Sequence, residues 1–323
     1  MGGYWSVSCV TSDDRFLAAG GDHAVLIELA TGKQVDQISS MVKAVGCSEK
    51  AAIVVGYDEA WTLPGKADLT PVPVVNGTAI GLNPKGEWVS TVRKTVAGKW
   101  KGSPTLFVGA TRQTELPPSR FGLIAEARQR PTPDSFAVRF GNLIEDGRLV
   151  VACGWEPSTP AEDTPWGFFA VDLQTGEAAP LTLPLKSDAA LNQQWLQKIA
   201  ASPDGMHLVV AAHDGGQVTV AQFDQGANLA TRRTQRPAKG SVSAVAISDN
   251  GTLVAVGTES RGTDAPALAW VIDQTGKTIW SAEFPKTIVG LHFLGDNSLI
   301  VAGAEAKAVR VTLPAGTEAW RTP

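Results

Sequence analysis

The stretch from Ile199 to Gly226, IAASPDGMHLVVAAHDGGQVTVAQFDQG, decides the fold. It holds an alternating run, a Pro203-Asp204-Gly205 turn, a second apolar run from Leu208 to Ala212, a tight His213-Asp214-Gly215-Gly216 turn and a third alternating run from Val218 to Phe223. Short runs joined by turns of this composition read as a three-strand meander. Such a unit cannot bury its own apolar face, so it needs neighbours of the same kind.

The rest of the chain supplies them. Residues 5–36 repeat the pattern with a fourth run: a turn at Asp13-Asp14, a strand from Phe16, a turn at Gly21-Asp22-His23, a strand from Val25, then Thr31-Gly32-Lys33 and Gln34 to Ile38. Further copies turn at Ser48-Glu49-Lys50, Asn83-Pro84-Lys85-Gly86, Glu145-Asp146-Gly147, Asp249-Asn250-Gly251 and Gly295-Asp296-Asn297. Their mean spacing is about 47 residues, and seven such units span the chain. Four strands per unit at this period predict an all-β fold, a seven-bladed β-propeller of four-stranded antiparallel meanders, with residues 1–323 as a single domain. A helical solenoid of similar period would need a 3.6-residue periodicity, which these runs lack. The segment from 104 to 147 is long enough to hold an additional strand.

Composition sets the outer bounds. The chain has 323 residues, 43% of them hydrophobic, with 33 Gly and 20 Pro, which fits a folded, turn-rich protein. A net charge of -4 gives no general pull toward nucleic acid or an anionic membrane, so neither is expected as a direct partner. The N-terminal residues show neither a basic start nor a long apolar segment, and no run approaches a membrane span. Cys9, Cys47 and Cys153 lie in or beside apolar runs without short paired spacing, which predicts buried free thiols and a cytoplasmic location.

The pattern S-P-D-G-x-x-L-V-V-A-A-x-D-G-x-V-T-V, with D-x-x-T-G-K/E elsewhere, resembles the WD40 and WD40-like repeat family over nearly the whole chain. The WD dipeptide is absent: its slot holds Glu28-Leu29, Val171-Asp172, Phe223-Asp224 and Ile272-Asp273. Degenerate copies imply the fold and leave function to the site. The first run reads as an innermost strand and Thr317 to Trp320 as an outermost one. In this family the first strand usually completes the last blade, and this order does not match that closure.

In such a fold the turns joining strands one to two and three to four share one face, and all other connections lie on the opposite one. Every insertion falls in the second set: Thr95 to Pro104, Pro117 to Pro133, Glu156 to Pro165, Leu183 to Gln194, Arg232 to Gly240 and Glu259 to Pro266. Loops on a rigid scaffold are where recognition is built, so the elaborated face is the expected binding face. Second strands there run into Asp22, Asp58, Glu156, Asp214, Glu259 and Glu305, while the third copy has Arg93-Lys94. Such acids either cap tight turns or form an acidic channel mouth able to take a basic segment or a cation.

Trp155 and Trp166 bracket the insertion that holds Glu156, Glu162 and Asp163, and Trp195 follows residues 187–194, which read as a short helix. Tryptophan is favoured at interface hot spots, so Trp155, Glu156, Trp166, Trp195, Arg93 and Lys94 are the expected partner-binding residues. Trp61, Trp88, Trp270, Trp280 and Trp320 fall in strand patterns and are expected to pack between blades. His23 and His213 sit beside Asp22 and Asp214 in equivalent turns, whereas His207 and His292 lie in strands as structural residues.

No H-E-x-x-H, G-x-S-x-G, phosphate-binding loop or dinucleotide fingerprint occurs. The expectation is a non-catalytic protein-interaction scaffold without a cofactor, a subunit of a multi-protein complex; the resemblance to bacterial WD40-like proteins implies one of regulatory or defence type. The alternative is a ligand-binding or hydrolytic, lactonase-like propeller using the acidic mouth formed by Asp22, Asp58, Asp214, Glu259 and Glu305.

Overall fold

The structure is a computed structural model. It describes residues 4–69, 78–82, 87–92, 95–96, 99–100, 105–108, 111–115, 137–143, 148–154, 166–172, 178–180, 195–202, 207–214, 217–224, 229–235, 241–260 and 265–322. Strands β1 (Trp5–Val10), β2 (Phe16–Gly21), β3 (Ala24–Glu28) and β4 (Lys33–Ile38) form the first sheet, and β5 (Ala44–Cys47), β6 (Ala52–Val55), β7 (Ala60–Leu63) and β8 (Ala67–Asp68) the second. The third begins with β9 (Thr78–Leu82) and β10 (Trp88–Val92). A separate two-stranded ribbon follows, β11 (Thr95–Val96) with β12 (Lys99–Trp100), before β13 (Thr105–Val108) and β14 (Thr111–Glu115) complete the third sheet.

The fourth sheet contains β15 (Ala137–Leu143), β16 (Arg148–Gly154), β17 (Trp166–Asp172) and β18 (Ala178–Pro180). The fifth contains β19 (Trp195–Ala201), β20 (His207–Asp214), β21 (Gln217–Asp224) and β22 (Leu229–Gln235). The sixth contains β23 (Val242–Ile247), β24 (Val254–Thr258), β25 (Ala267–Ile272) and β26 (Thr278–Phe284), and the seventh β27 (Ile288–Leu294), β28 (Ser298–Gly303), β29 (Lys307–Thr312) and β30 (Thr317–Arg321). Among the described residues there are thus seven antiparallel four-stranded sheets, each a meander of strands in chain order. The described strands between 104 and 147 complete the third sheet and open the fourth.

The strands group into two compact units, residues 73–193 and the remainder. In the smaller unit β9 lies beside β15. In the larger, the innermost strands stand side by side in the order β19, β23, β27, β1, β5. The reason is visible in the burial pattern. Strands β2, β24, β25 and β28 are buried at every residue, so both faces of these sheets must be covered. Phe16, Leu26, Val54 and Leu63 fill the gap between the first and second sheets, Trp270 and Ile272 that between the fifth and sixth, and Phe284, Leu299 and Val309 that between the sixth and seventh. Full burial of each such side chain contributes roughly 1.5–3 kcal/mol, so stacking between sheets dominates stability. The strand tryptophans behave as expected: Trp88 and Trp270 are buried, and Trp61, Trp280 and Trp320 pack against these clusters.

Outer elements lock the stack with a repeated device. The turn joining strands three and four of one sheet seats on the outermost strand of the sheet before it in the stack. Gly32, at φ 69°, lies under the Trp320 ring, and Gly316, at φ 70°, lies under the Trp280 ring. In the second sheet the Gly65 N–H donates to Asp36 Oδ2 at 2.9 Å. Burial raises the Asp36 carboxyl, but the N–H groups of Gly65 and Gln37 and the Lys66 ammonium together hold it below the usual carboxylate range.

The first and last sheets meet without exchanging a strand. Trp320 Nε1 and Arg310 Nη1 both donate to the Leu29 carbonyl, at 2.8 and 3.0 Å, and the Trp5 N–H donates to the Ala304 carbonyl at 3.0 Å. Trp5, Leu17, Ile27, Leu29, Ile300 and Ala308 fill the space behind them. The seam is therefore made of side-chain packing and a few cross-sheet bonds.

Two sequence-based expectations are corrected. Cys9 and Cys47 are not free thiols but a disulfide, with a Cα–Cα distance of 5.7 Å. Their separation of 38 residues is close to one repeat, and the repeat brings β1 and β5 side by side. Sequence spacing alone hid that neighbourhood, and the free-thiol ground for a cytoplasmic location falls with it. Arg232 and Arg233 do not belong to a loop insertion either, because β22 continues through both to Gln235.

Two outcomes follow. Placing a Cβ on Gly32 or Gly316 brings it within 2.8 or 2.9 Å of the indole rings, at positive φ. Gly32→Ala and Gly316→Ala should each lower stability by about 1–3 kcal/mol in urea unfolding, against little change for an exposed alanine substitution elsewhere. Protein from its native cells, acid-quenched and alkylated under denaturing, non-reducing conditions, should label one of its three cysteines. Labelling of all three would place it in a reducing compartment with the bond open.

Candidate interaction face

Strand order places the ends of second strands and the starts of first strands at the same edge of each sheet. In the larger unit these edges are stitched into one continuous surface. Within sheets, Asp22 N–H donates to the Tyr4 carbonyl at 2.9 Å, Lys43 to Val55 at 2.8 Å, Glu259 to Ser241 at 2.9 Å and Ala304 to Thr287 at 2.8 Å. Between sheets, Val42 N–H donates to the Gly21 carbonyl at 2.6 Å and Ser260 N–H to Thr287 Oγ1 at 3.2 Å. The backbone is fixed there, so the side chains it carries are held in a set order.

Glu259, Glu305, Asp22 and Asp58 fall at this edge in four consecutive sheets of the stack, in the order sixth, seventh, first and second. They are not alike. Asp22 Oδ2 accepts from the Tyr4 N–H at 3.2 Å, tying down the segment before β1 rather than capping its own turn. Asp58 is exposed beside exposed Glu59. Glu305 tucks against Gly303, with Oε2 buried and without a hydrogen-bond partner; burial pushes its carboxyl up, partly opposed by Lys307, Arg321 and Lys286. Glu259 acts on Lys198 of β19, whose ammonium is pulled down by burial and partly restored by that carboxylate.

The remaining sequence-predicted residues separate. Trp166 opens β17 and Trp195 opens β19, opposite His213, so both begin strands rather than ride on loops. Asp214 ends β20. Trp155, Glu156, Arg93 and Lys94 lie outside the described residues, as do the centres of most insertions. The Thr95 to Pro104 insertion contains the β11–β12 ribbon. Among the described residues, no three His, Cys, Asp or Glu side chains are gathered at metal-binding range.

Three features were missed from sequence. The first is a register irregularity near the start of the innermost strand, at Trp5/Val7, Leu196/Lys198, Val242/Ala244 and Ile288/Gly290 in the larger unit and at Val138/Phe140 in the smaller. Bulges bend a strand and re-aim one side chain. Ser243, skipped in the sixth sheet, thereby reaches the Ile288 carbonyl of the seventh at 2.6 Å. The second is the character of the opposite edge, read as plain. Its turns use a hydroxyl that accepts the N–H five residues on: Thr11 from Phe16, Ser202 from His207 and Ser248 from Leu253, each at 3.0 Å. Two of these turns carry Asp13, Asp14 and Asp249, the seventh sheet's turn carries Asp296, which accepts from the Asn250 N–H at 3.1 Å, and the Asp14 carboxyl is raised by burial, then by Asp249 and Asp13.

The third is Ser8 Oγ against His292 Nε2, 3.0 Å apart across β1 and β27. His292 is structural, as its strand position implied, but its partner lies at the other end of the chain. Burial lowers its imidazole to about 4, so it is neutral at pH 7. An unfolded chain would bind that proton near 6.5, so the unfolded state gains protons first as pH falls. Stability should therefore be full above pH 6.5 and decline toward pH 4, by up to about 3 kcal/mol from this group. His292→Gln should flatten that part of the urea-midpoint profile relative to the parent chain.

The structure is similar to solved β-propeller proteins. KlAtg21, solved in a complex with the coiled-coil of AgAtg16, matches with a TM-score of 0.64 and 13% identity over 99% of each chain. A chain of Kuenenia stuttgartiensis hydrazine synthase matches with a TM-score of 0.61 and 11% identity over 96% of each chain. The β-propeller domain of Myceliophteria thermophila Cps50 (Swd1) matches with a TM-score of 0.59 and 15% identity over 95% of each chain. No family model and no curated protein matches this sequence. At these identities the likeness shows the fold, an all-β arrangement of four-stranded antiparallel sheets of the β-propeller type.

Proposed function

We propose that this protein is a single seven-bladed WD40-like propeller that acts as a non-catalytic scaffold, binding one or more protein partners through its loop-elaborated face as a subunit of a larger complex. The observation that carries the reading is the asymmetry between the two edges of the sheets. Connections at one edge are uniformly short turns, whereas the other bears every insertion, including the one between Gly154 and Trp166 and the one carrying the β11–β12 ribbon. A rigid stack with one variable edge is how recognition surfaces are built on repeat scaffolds. That KlAtg21 was solved bound to a coiled-coil supports a protein as the class of partner.

In this reading Trp155 and Trp166 are anchors at the rim of their insertion, flanked by Glu156 and joined by Arg93-Lys94. A partner recovered in stoichiometric complex from the native host should lose at least about 2 kcal/mol of affinity when both Trp155→Ala and Trp166→Ala are introduced. Unchanged affinity in the tryptophan variant would remove those two residues from the interface.

A further inference from the structure

Among the described residues the exposed large hydrophobic side chains are Tyr4, Val35, Met41 and Tyr57. Three of them fall together. The Tyr4 carbonyl and Gly21 are in contact, Val42 N–H bonds the Gly21 carbonyl, and the Met41 carbonyl lies 3.3 Å from where a Cβ on Gly56 would stand. Along the edge of the first and second sheets Tyr4 is thus linked to Met41 through Gly21 and Val42, and Met41 to Tyr57 through Gly56. The three side chains are 50%, 56% and 63% exposed, on a backbone held by the bonds described above. An ordered, exposed cluster of this kind marks an interaction surface.

Its surroundings say what fits. Asp22, Asp58 and Glu59 are exposed around it. Lys43 has its Nζ 3.9 Å from the centroid of the Tyr57 ring. That contact is an internal example of what the ring accepts, a cation on its face. The charge balance is acidic and the centre is aromatic and thioether, and methionine adapts to varied apolar shapes.

We propose that the Tyr4–Met41–Tyr57 cluster is a docking site for a basic linear segment of a protein partner, with an aromatic or large aliphatic anchor on Met41 and Tyr57 and flanking Arg or Lys on Asp22, Asp58 and Glu59. It rests on the scaffold reading and gives it a binding surface separate from the Trp155–Trp166 insertion. The apolar anchor sets the dwell time and the carboxylates set charge selection.

The test is to pan a phage-displayed random dodecapeptide library against the immobilised full-length chain and to measure recovered peptides by fluorescence polarisation. The expected peptides carry at least two Arg or Lys around one large apolar residue. Met41→Ser with Tyr57→Ser should weaken them about tenfold or more, and Asp58→Asn with Glu59→Gln should weaken them and reduce their salt dependence between about 50 and 300 mM. All four substitutions are at exposed positions, so thermal unfolding should be unchanged and a lost signal is not a lost fold. Recovery of no peptide, of acidic or uncharged peptides, or of peptides indifferent to these variants overturns the proposal. So does a dimer of the parent chain in sedimentation velocity that Tyr57→Ser dissociates, since the occupant is then a second copy. Peptides lost in the Trp155→Ala, Trp166→Ala chain but kept in Met41→Ser, Tyr57→Ser overturn this site while leaving the scaffold reading standing.

Discussion

Burial on both faces of the same sheet is the constraint on which the described structure depends. A four-stranded meander whose central strands read Phe-Leu-Ala-Ala-Gly-Gly or Ala-Leu-Ala-Trp-Val-Ile has no solvent side to offer. It is stable only between two others, and each neighbour has the same need. Small residues in β2 let the sheets approach closely: a Cβ on Gly20 would stand 2.6 Å from Val42 Cγ1. Larger groups such as Phe284 and Trp270 fill the wider parts of the gaps. The turn-on-strand seats at Gly32, Gly65 and Gly316 then fix how far one sheet rotates on the next.

Much of this was legible because turn chemistry and alternation are local. The three runs around Pro203-Asp204-Gly205 and Gly215-Gly216 became β19, β20 and β21 close to where the residues put them. What escaped was whatever depends on which repeats become neighbours. Cys9 and Cys47 look unrelated at 38 residues and become adjacent only once β1 and β5 are side by side. Ser8 and His292 are the same case at longer range, and the bulges that aim Ser243 leave no mark in the hydrophobic pattern. The insertions departed from the expected picture for a different reason: a connection inferred only from polarity, such as Thr95 to Pro104, can carry a ribbon of its own.

The candidate face was half visible. Acids at the ends of second strands could be found by aligning repeats, and five of them, Asp214 included, fall at the same edge of their sheets in the larger unit. Their individual roles could not be read, because the Asp22 bond to Tyr4, the burial of Glu305 and the exposure of Asp58 depend on contacts that the repeat pattern does not carry. Tyr4, Met41 and Tyr57 were invisible for a related reason. They are far apart in the repeat alignment, in a leading segment, an inter-sheet connection and a turn, and only the bond from Val42 to Gly21 and the contact of Met41 with Gly56 unite them.

The seam between the first and last sheets also bears on how the chain is made. Contacts within a meander join residues a few tens of positions apart, whereas Ser8 to His292, Arg310 to Leu29 and Trp320 to Leu29 span 284, 281 and 291 positions. Loop closure of that length is slow, and domains begin to fold during synthesis. The apolar face of the first sheet formed by Leu17, Ile27 and Leu29 must therefore wait for residues 288–320 to leave the ribosome. Until they do, the nascent chain exposes one unfinished flank, and protection of that flank becomes a condition of its biogenesis.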